Sequence, residues 1–288
     1  MRWKPGGVSD DVEDRRDEGG GGGGRGLQVG LGGGLVLLVL SIVFKTDLFA
    51  LLGAEPAGSP PGPVAAEGAP PRPPSPIEDQ RVQFVSFVLD DLQATWEKEF
   101  AAAGRAYSHA KLVLFRDETR SACGGAEAST GPFYCPGDGK VYVDLGFYDD
   151  LRDRFGAPGE FAQAYVIAHE VGHHVQTLLG VEGKVRRMQA ESPERRNALS
   201  VALELQADCL AGVWAHSTGQ RQILEKGDVE SGIGAAAAVG DDRLQRLAQA
   251  RVSPETWTHG SSAQRVHWFR RGLESGRVAD CDTFRAAH

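Results

Sequence analysis

Nine of the fifteen prolines in this 288-residue chain fall between Pro56 and Pro76, and that cluster divides it into parts that must obey different physics. A run so dense in proline lacks backbone donors and holds its residues near polyproline II, so neither helix nor sheet can propagate through it. At about 3.1 Å per residue it reaches up to roughly 65 Å and reads, as residues 45–76, as a semi-rigid linker. Upstream, residues 1–26 mix charges with an unbroken Gly19 to Gly24 run and offer almost nothing apolar to bury, which predicts a disordered tail. Downstream, residues 77–288 have an ordinary apolar content and enough length to bury a core without staples.

Between tail and linker lies Leu27 to Phe44, an uncharged stretch of 18 residues. As a helix it would span roughly 27 Å, just enough for the hydrocarbon core of a bilayer. A cleaved signal peptide is the rival, but the charged region before the stretch is long and no small-x-small site follows Phe44. The expectation is an uncleaved transmembrane helix at 27–44. Arg2, Lys4, Arg15, Arg16 and Arg25 precede it and only Lys45 closely follows. The positive-inside rule then sets a cytoplasmic N-terminus and an extracytoplasmic domain on a single-pass chain in the cell membrane.

From Val82 to Ala103 the periodicity is helical, with Val85, Val88, Leu89, Leu92 and Trp96 on one side. Ala110 to Phe115 and Lys140 to Leu145 read as strands. Helical stretches follow at about 158–179, 195–216, 228–249 and 261–274. Strands first and helices after predict an α+β domain, mainly helical with a small sheet, rather than a doubly wound one. The formal charge of −8 and the absence of a basic run exclude a nucleic-acid partner.

His169-Glu170-Val171-Gly172-His173 falls within the helix expected at 158–179. Positions four apart share a helix face, so both imidazoles can point at one ion, with Glu170 one position further round. Phe161, Ala164, Tyr165 and Ala168 give the helix an apolar side, and ionisable groups buried there need a compensating partner. A catalytic zinc needs a third protein ligand and an open position. The extended pattern that would supply a histidine at 179 fails, since Gln176 and Leu179 stand where it needs Gly and His. His174 lies about 100° round the helix from His173 and reads as a packed residue. Glu204 is the better third ligand: Glu204 and Asp208 are four apart on a predicted helix, a repulsive spacing unless a cation relieves it. Asp208 would then accept a hydrogen bond from the far nitrogen of a ligating histidine.

Those residues, together with Gly131-Pro132-Phe133-Tyr134-Cys135-Pro136, Ala164 to Gln176, Leu203 to Cys209 and Thr258 to Arg265, resemble the bacterial putative neutral zinc metallopeptidase family over about 80–285. The arrangement H-E-x-x-H followed by E-x-x-x-D is also that of the gluzincins. The resemblance implies one zinc ion per chain, His169 and His173 as ligands, Glu170 as the catalytic residue, a peptide or protein substrate and an N-terminal membrane segment. Glu204 rests on the spacing and the gluzincin analogy. Hydrolysis by a zinc-activated water would leave Glu170 as general base and acid, and a strand such as 140–145 to align an extended peptide. A zinc amidase acting on cell-wall material and an envelope binding protein without turnover are the alternatives.

His259-Gly260 precedes Ser261-Ser262-Ala263-Gln264, a capping box that predicts a helix start at Ser261. His259 on that junction is a candidate donor to the developing oxyanion, with Arg265 and Tyr165 in reserve. The four cysteines include no C-x-x-C pair. Outside the cytoplasm two disulfides are expected out of three possible pairings, with Cys123–Cys135 and Cys209–Cys281 favoured; free buried thiols are the alternative.

Overall fold

Helix α1 (Pro76–Ala102) begins where the local chemistry of its first turn dictates. The Ser75 side chain accepts from the Glu78 amide, the Glu78 carboxylate accepts from the Ser75 amide, and Pro76 occupies the first turn, where it forfeits no bond. Its stripe Val85, Val88, Leu89, Leu92 and Trp96 is buried, as the periodicity predicts. In this computed structural model the described residues are 1–17, 75–127, 131–248 and 251–287. The expected 27–44 transmembrane helix and nearly all of the 45–76 linker lie outside them.

Four strands form the main sheet, in the order β1 (Val12–Asp14), β2 (Lys111–Phe115), β6 (Lys140–Asp144) and β5 (Phe133–Cys135). The first three are parallel; β5 runs antiparallel to β6. β2 and β6 occupy the interior of the sheet and read as near-continuous apolar runs because both their faces are covered. Leu112, Leu114, Val141 and Val143 join the helical core, while Val113, Phe115, Cys135 and Tyr142 form a smaller cluster on the other face. A separate hairpin pairs β3 (Glu118–Ser121) with β4 (Gly124–Glu127).

The helical layer comprises α2 (Phe147–Asp153), α3 (Glu160–Leu179), α4 (Val181–Glu191), α5 (Arg196–Gln220), α6 (Asp228–Ala238), α7 (Asp241–Leu247) and α8 (Ser262–Ser275). The α+β expectation holds. The single helix expected over 228–249 is instead two, broken at Gly240. A Cβ there would stand 2.3 Å from the Ser262 amide nitrogen, so the chain turns where the start of α8 presses on it. α5 and the turn before it, Pro193–Gln220, are long and apolar enough to cross a membrane, yet 67% of the apolar window is buried inside the domain. This is a core helix.

The disordered-tail expectation for residues 1–26 is corrected over the described part. Residues 1–17 belong to the fold. Val12, Glu13 and Asp14 pair with Leu112, Val113 and Leu114, and the Arg15 amide donates to Leu114 O at 2.8 Å. Trp3 packs edge-on against Phe84 at 5.3 Å, and Arg16, 6% exposed, binds Asp14 and Asp79. The segment is poor in apolar residues, but β2 supplies its backbone partners and the domain supplies its counter-charges. Those partners are remote in sequence, so composition alone predicts disorder.

Candidate metal centre

Two helices and a glycine bring the site together. His169, Glu170 and His173 lie on α3 and Glu204 on α5. Where the helices meet, a Cβ on Gly172 would stand 3.1 Å from Ala207 O and 3.2 Å from Ala207 Cα, so glycine inside the motif permits the close approach. His169 Nε2 lies 3.1 Å from Glu204 Oε2, and His173 Nε2 lies 3.4 Å from Glu204 Oε1. The candidate ligand atoms of the three residues all fall within 4.8 Å of one another. Ligands about 2.1 Å from a tetrahedral zinc stand about 3.4 Å apart, so the spacing fits one ion. The expected trio is assembled.

Each histidine has its far nitrogen occupied. Asp208 Oδ1 lies 2.9 Å from His169 Nδ1, the relation expected from the sequence. Gln176 Oε1 lies 2.8 Å from His173 Nδ1, and its Nε2 donates to Leu203 O at 2.7 Å. Both rings therefore present Nε2 toward Glu204, the tautomer a metal ligand requires. Sequence reading missed Gln176, although its position three residues after His173 on one helix face was a usable signal.

Asp208 is fully buried and serves more than His169. Arg265 Nε and Nη2 donate to its two oxygens at 2.8 and 2.9 Å, and the Tyr165 hydroxyl also donates to it. Arg265 and Tyr165 are thus both engaged on Asp208, and Arg265 Nη2 also lies 3.2 and 3.4 Å from the two ring nitrogens of His169. α8 comes near enough for this because Gly272 lies against α5, where a Cβ would meet Cys209 O at 1.9 Å.

Electrostatics favour a cation here. Burial alone would raise the Glu204 pKa, but His173 and His169 hold it well below the usual carboxylate range. Burial alone would lower that of His169, but Asp208 and Glu204 push it up to about 10. Arg265 already counters Asp208, so the partly buried Glu204 carboxylate facing both imidazoles is what draws in positive charge, and a divalent ion satisfies that demand with the donors present. Glu170, 8% exposed, has its carboxyl pKa raised by burial, and no hydrogen bond among the described residues engages it.

His174 stands apart, as expected. It donates from Nε2 to Ser108 O at 2.7 Å, and its Nδ1 lies 3.1 Å from the Tyr134 hydroxyl. His259 precedes α8, whose capping box at Ser261 is formed as predicted. Its Nδ1 lies 3.2 Å from Asp241 Oδ1 and its amide donates to Asp241 Oδ2 at 2.7 Å. The neighbouring Gly260 has φ +87°, and a Cβ there would stand 3.1 Å from Val201 and 3.4 Å from Leu205, on the helix that carries Glu204. His259 has no direct contact with the ligand trio; Asp241 and, more remotely, Glu204 raise its pKa. The strand 140–145 cannot align a peptide, because β6 is paired on both edges. β5 is one of the two outer strands, beside β6, and is tied to α3 through Tyr134 and His174.

Both favoured disulfides are present: Cys123–Cys135 with Cα atoms 5.8 Å apart and Cys209–Cys281 at 5.5 Å. The second anchors the C-terminal turn beside Asp208. No solved structure matches the chain. An uncharacterized protein of Escherichia coli (strain K12), YpfJ, is 48% identical over 291 residues, covering 99% of each chain. The uncharacterized protein Rv2575 of Mycobacterium tuberculosis (strain ATCC 25618 / H37Rv) is 45% identical over 192 residues, covering 63% of this chain and 64% of its own. The family described as "Putative neutral zinc metallopeptidase" matches residues 1–284, so the sheet strand at the N-terminus, the metal helices and the second disulfide all fall within it, and the chain belongs to that family.

Proposed function

We propose that the protein is a zinc-dependent peptidase whose ion is held by His169, His173 and Glu204. The observation that carries this reading is the convergence of their ligand atoms on one point beside a buried, unengaged Glu170. A bound zinc would supply Lewis acidity toward a carbonyl and bring the pKa of a water toward neutrality. Glu170 holds and moves the proton. Its raised pKa suits a group that accepts a proton in one step and returns it to a leaving amine in the next. Asp208 and Gln176 keep both imidazoles in register.

The β5 edge offers main-chain groups for an extended peptide by strand addition, and Tyr134 fixes that strand to the metal helix. His259 is the candidate donor to the oxyanion: its Nδ1 faces the Asp241 carboxylate, which favours the protonated ring, and in that form Nε2 also carries a proton to donate. The two disulfides support an extracytoplasmic domain. Membrane attachment through 27–44 rests on composition alone.

The test is zinc content and peptide cleavage by the purified full chain. Close to one zinc per chain and chelator-sensitive cleavage are expected. Glu170→Gln should retain the metal and lose cleavage; a variant that cleaves at the parent rate refutes the mechanism.

A further inference from the structure

We infer that residues 1–17 and the domain carrying the metal centre lie on the same side of the membrane, so that the chain between residues 17 and 75 makes no net crossing. The positive-inside pattern around Leu27 to Phe44 argues for the opposite, a single pass with the N-terminus inside. The fold forbids it. β1 is hydrogen-bonded in register along β2, with Leu112 N donating to Asp11 O and Arg15 N to Leu114 O, each at 2.8 Å. Bonds of that length cannot be made across a hydrocarbon layer of about 30 Å.

The contact is spread over the domain and is not confined to one strand. The Arg2 amide donates to Ile223 O at 2.7 Å, after α5; Trp3 Nε1 donates to Glu160 at 3.0 Å, at the start of the metal helix. Ser9 Oγ donates to Asp90 at 2.5 Å on α1. Asp11 binds Lys111 at 2.7 Å and His109 at 2.6 Å, and Glu13 binds Lys140 on β6 at 2.6 Å. Arg16 is buried against Asp14 and Asp79. Charges of both signs on the segment meet their opposites on the domain. Without the segment, Lys111, Lys140 and Asp79 lose these partners and β2 becomes an open edge. A donor copy from a second chain would face the same constraint, because its residues 1–17 must also reach this side.

The uncharged stretch at 27–44 is long enough for one crossing and too short for two, each of which needs about 20 residues.

Single-cysteine labelling in cells that make the full chain tests this without reference to zinc or cleavage. All four native cysteines are in disulfides, so the unsubstituted chain is the background. Lys4→Cys marks the N-terminal segment and Lys184→Cys marks the domain on α4; both sites are exposed. A membrane-impermeant maleimide is added before and after permeabilisation. Both positions should behave alike. Labelling of both in intact cells supports the inference with the domain outside. Protection of both until permeabilisation supports it with the domain in the cytoplasm. Labelling of Lys184→Cys in intact cells with Lys4→Cys protected, or the reverse, overturns it.

Discussion

Asp208→Asn removes one charge and keeps the shape, and the structure says what should follow. The carboxylate is fully buried, with Arg265 on both oxygens and His169 and Tyr165 on one of them. Burial alone would raise its pKa, but Arg265 and His169 outweigh that and lower it. Losing one partner of a buried ion pair costs about 3–5 kcal/mol, because the other charge stays buried without compensation. In a domain of this size that corresponds to a fall in Tm of roughly 6–20 °C. The orienting bond to His169 is weakened as well, which predicts a loss of roughly 10–100-fold in zinc affinity. Calorimetry with and without metal and competition against a chelator measure the two effects. Asp208→Asn combined with Arg265→Met separates them: with no orphaned guanidinium, much of the stability should return while zinc affinity stays low. An Asp208→Asn protein with parental Tm and zinc affinity would refute the reasoning, and so would a double variant that regains the affinity.

Glu204→Ala and His169→Ala should each abolish stoichiometric zinc binding, read by elemental analysis; a zinc-replete Glu204→Ala protein removes it from the ligand set. His259→Ala should lower kcat by a factor equivalent to about 2.7–4 kcal/mol with zinc content unchanged, and Asp241→Asn should lower it less; unchanged kcat in a folded His259→Ala protein takes it out of the mechanism. Opening the 72-residue Cys209–Cys281 loop by paired Cys→Ala substitution should cost more in denaturant unfolding, about 4.4 kcal/mol, than opening the 12-residue Cys123–Cys135 loop, about 2.8 kcal/mol, on loop-entropy grounds; the reverse order counts against that account. His109 has its pKa raised by Glu97 and Asp11 on its two ring nitrogens, so its contribution is fully present below about pH 6.5 and is lost as pH rises through the folded-state value. The Tm gap between parent and His109→Gln should therefore narrow from pH 6 to pH 9, and a gap that widens contradicts this assignment.

The metal helices were legible in the sequence because their information is local. A four-residue spacing on a helix places His169 with His173, and Glu204 with Asp208, on common faces, and the same helical geometry marked the buried stripe from Val85 to Trp96 and the capping box at Ser261. Four cysteines and a compartment argument were enough to favour the observed bridges. What tertiary structure alone decided was most of the other pairings between residues far apart in the chain. Gln176 reads as the residue that spoils an extended zinc motif until Leu203 O on α5 takes its amide and leaves Oε1 to meet His173. Arg265 reads as a catalytic candidate until the Gly272 contact draws α8 onto α5 and places its guanidinium on Asp208. β6 looks like any strand until its neighbours show that it is interior and that β5 lies at the edge on its side of the sheet. Residues 1–17 carry little apolar surface, and their internal pairs, such as Arg15–Glu13 and Arg16–Asp14, are only local, so their place in the fold is set once β2, Lys111, Lys140 and Asp79 are brought to meet them. A hydrogen bond or an ion pair needs both halves, and the sequence lists each half without saying which other half it will find.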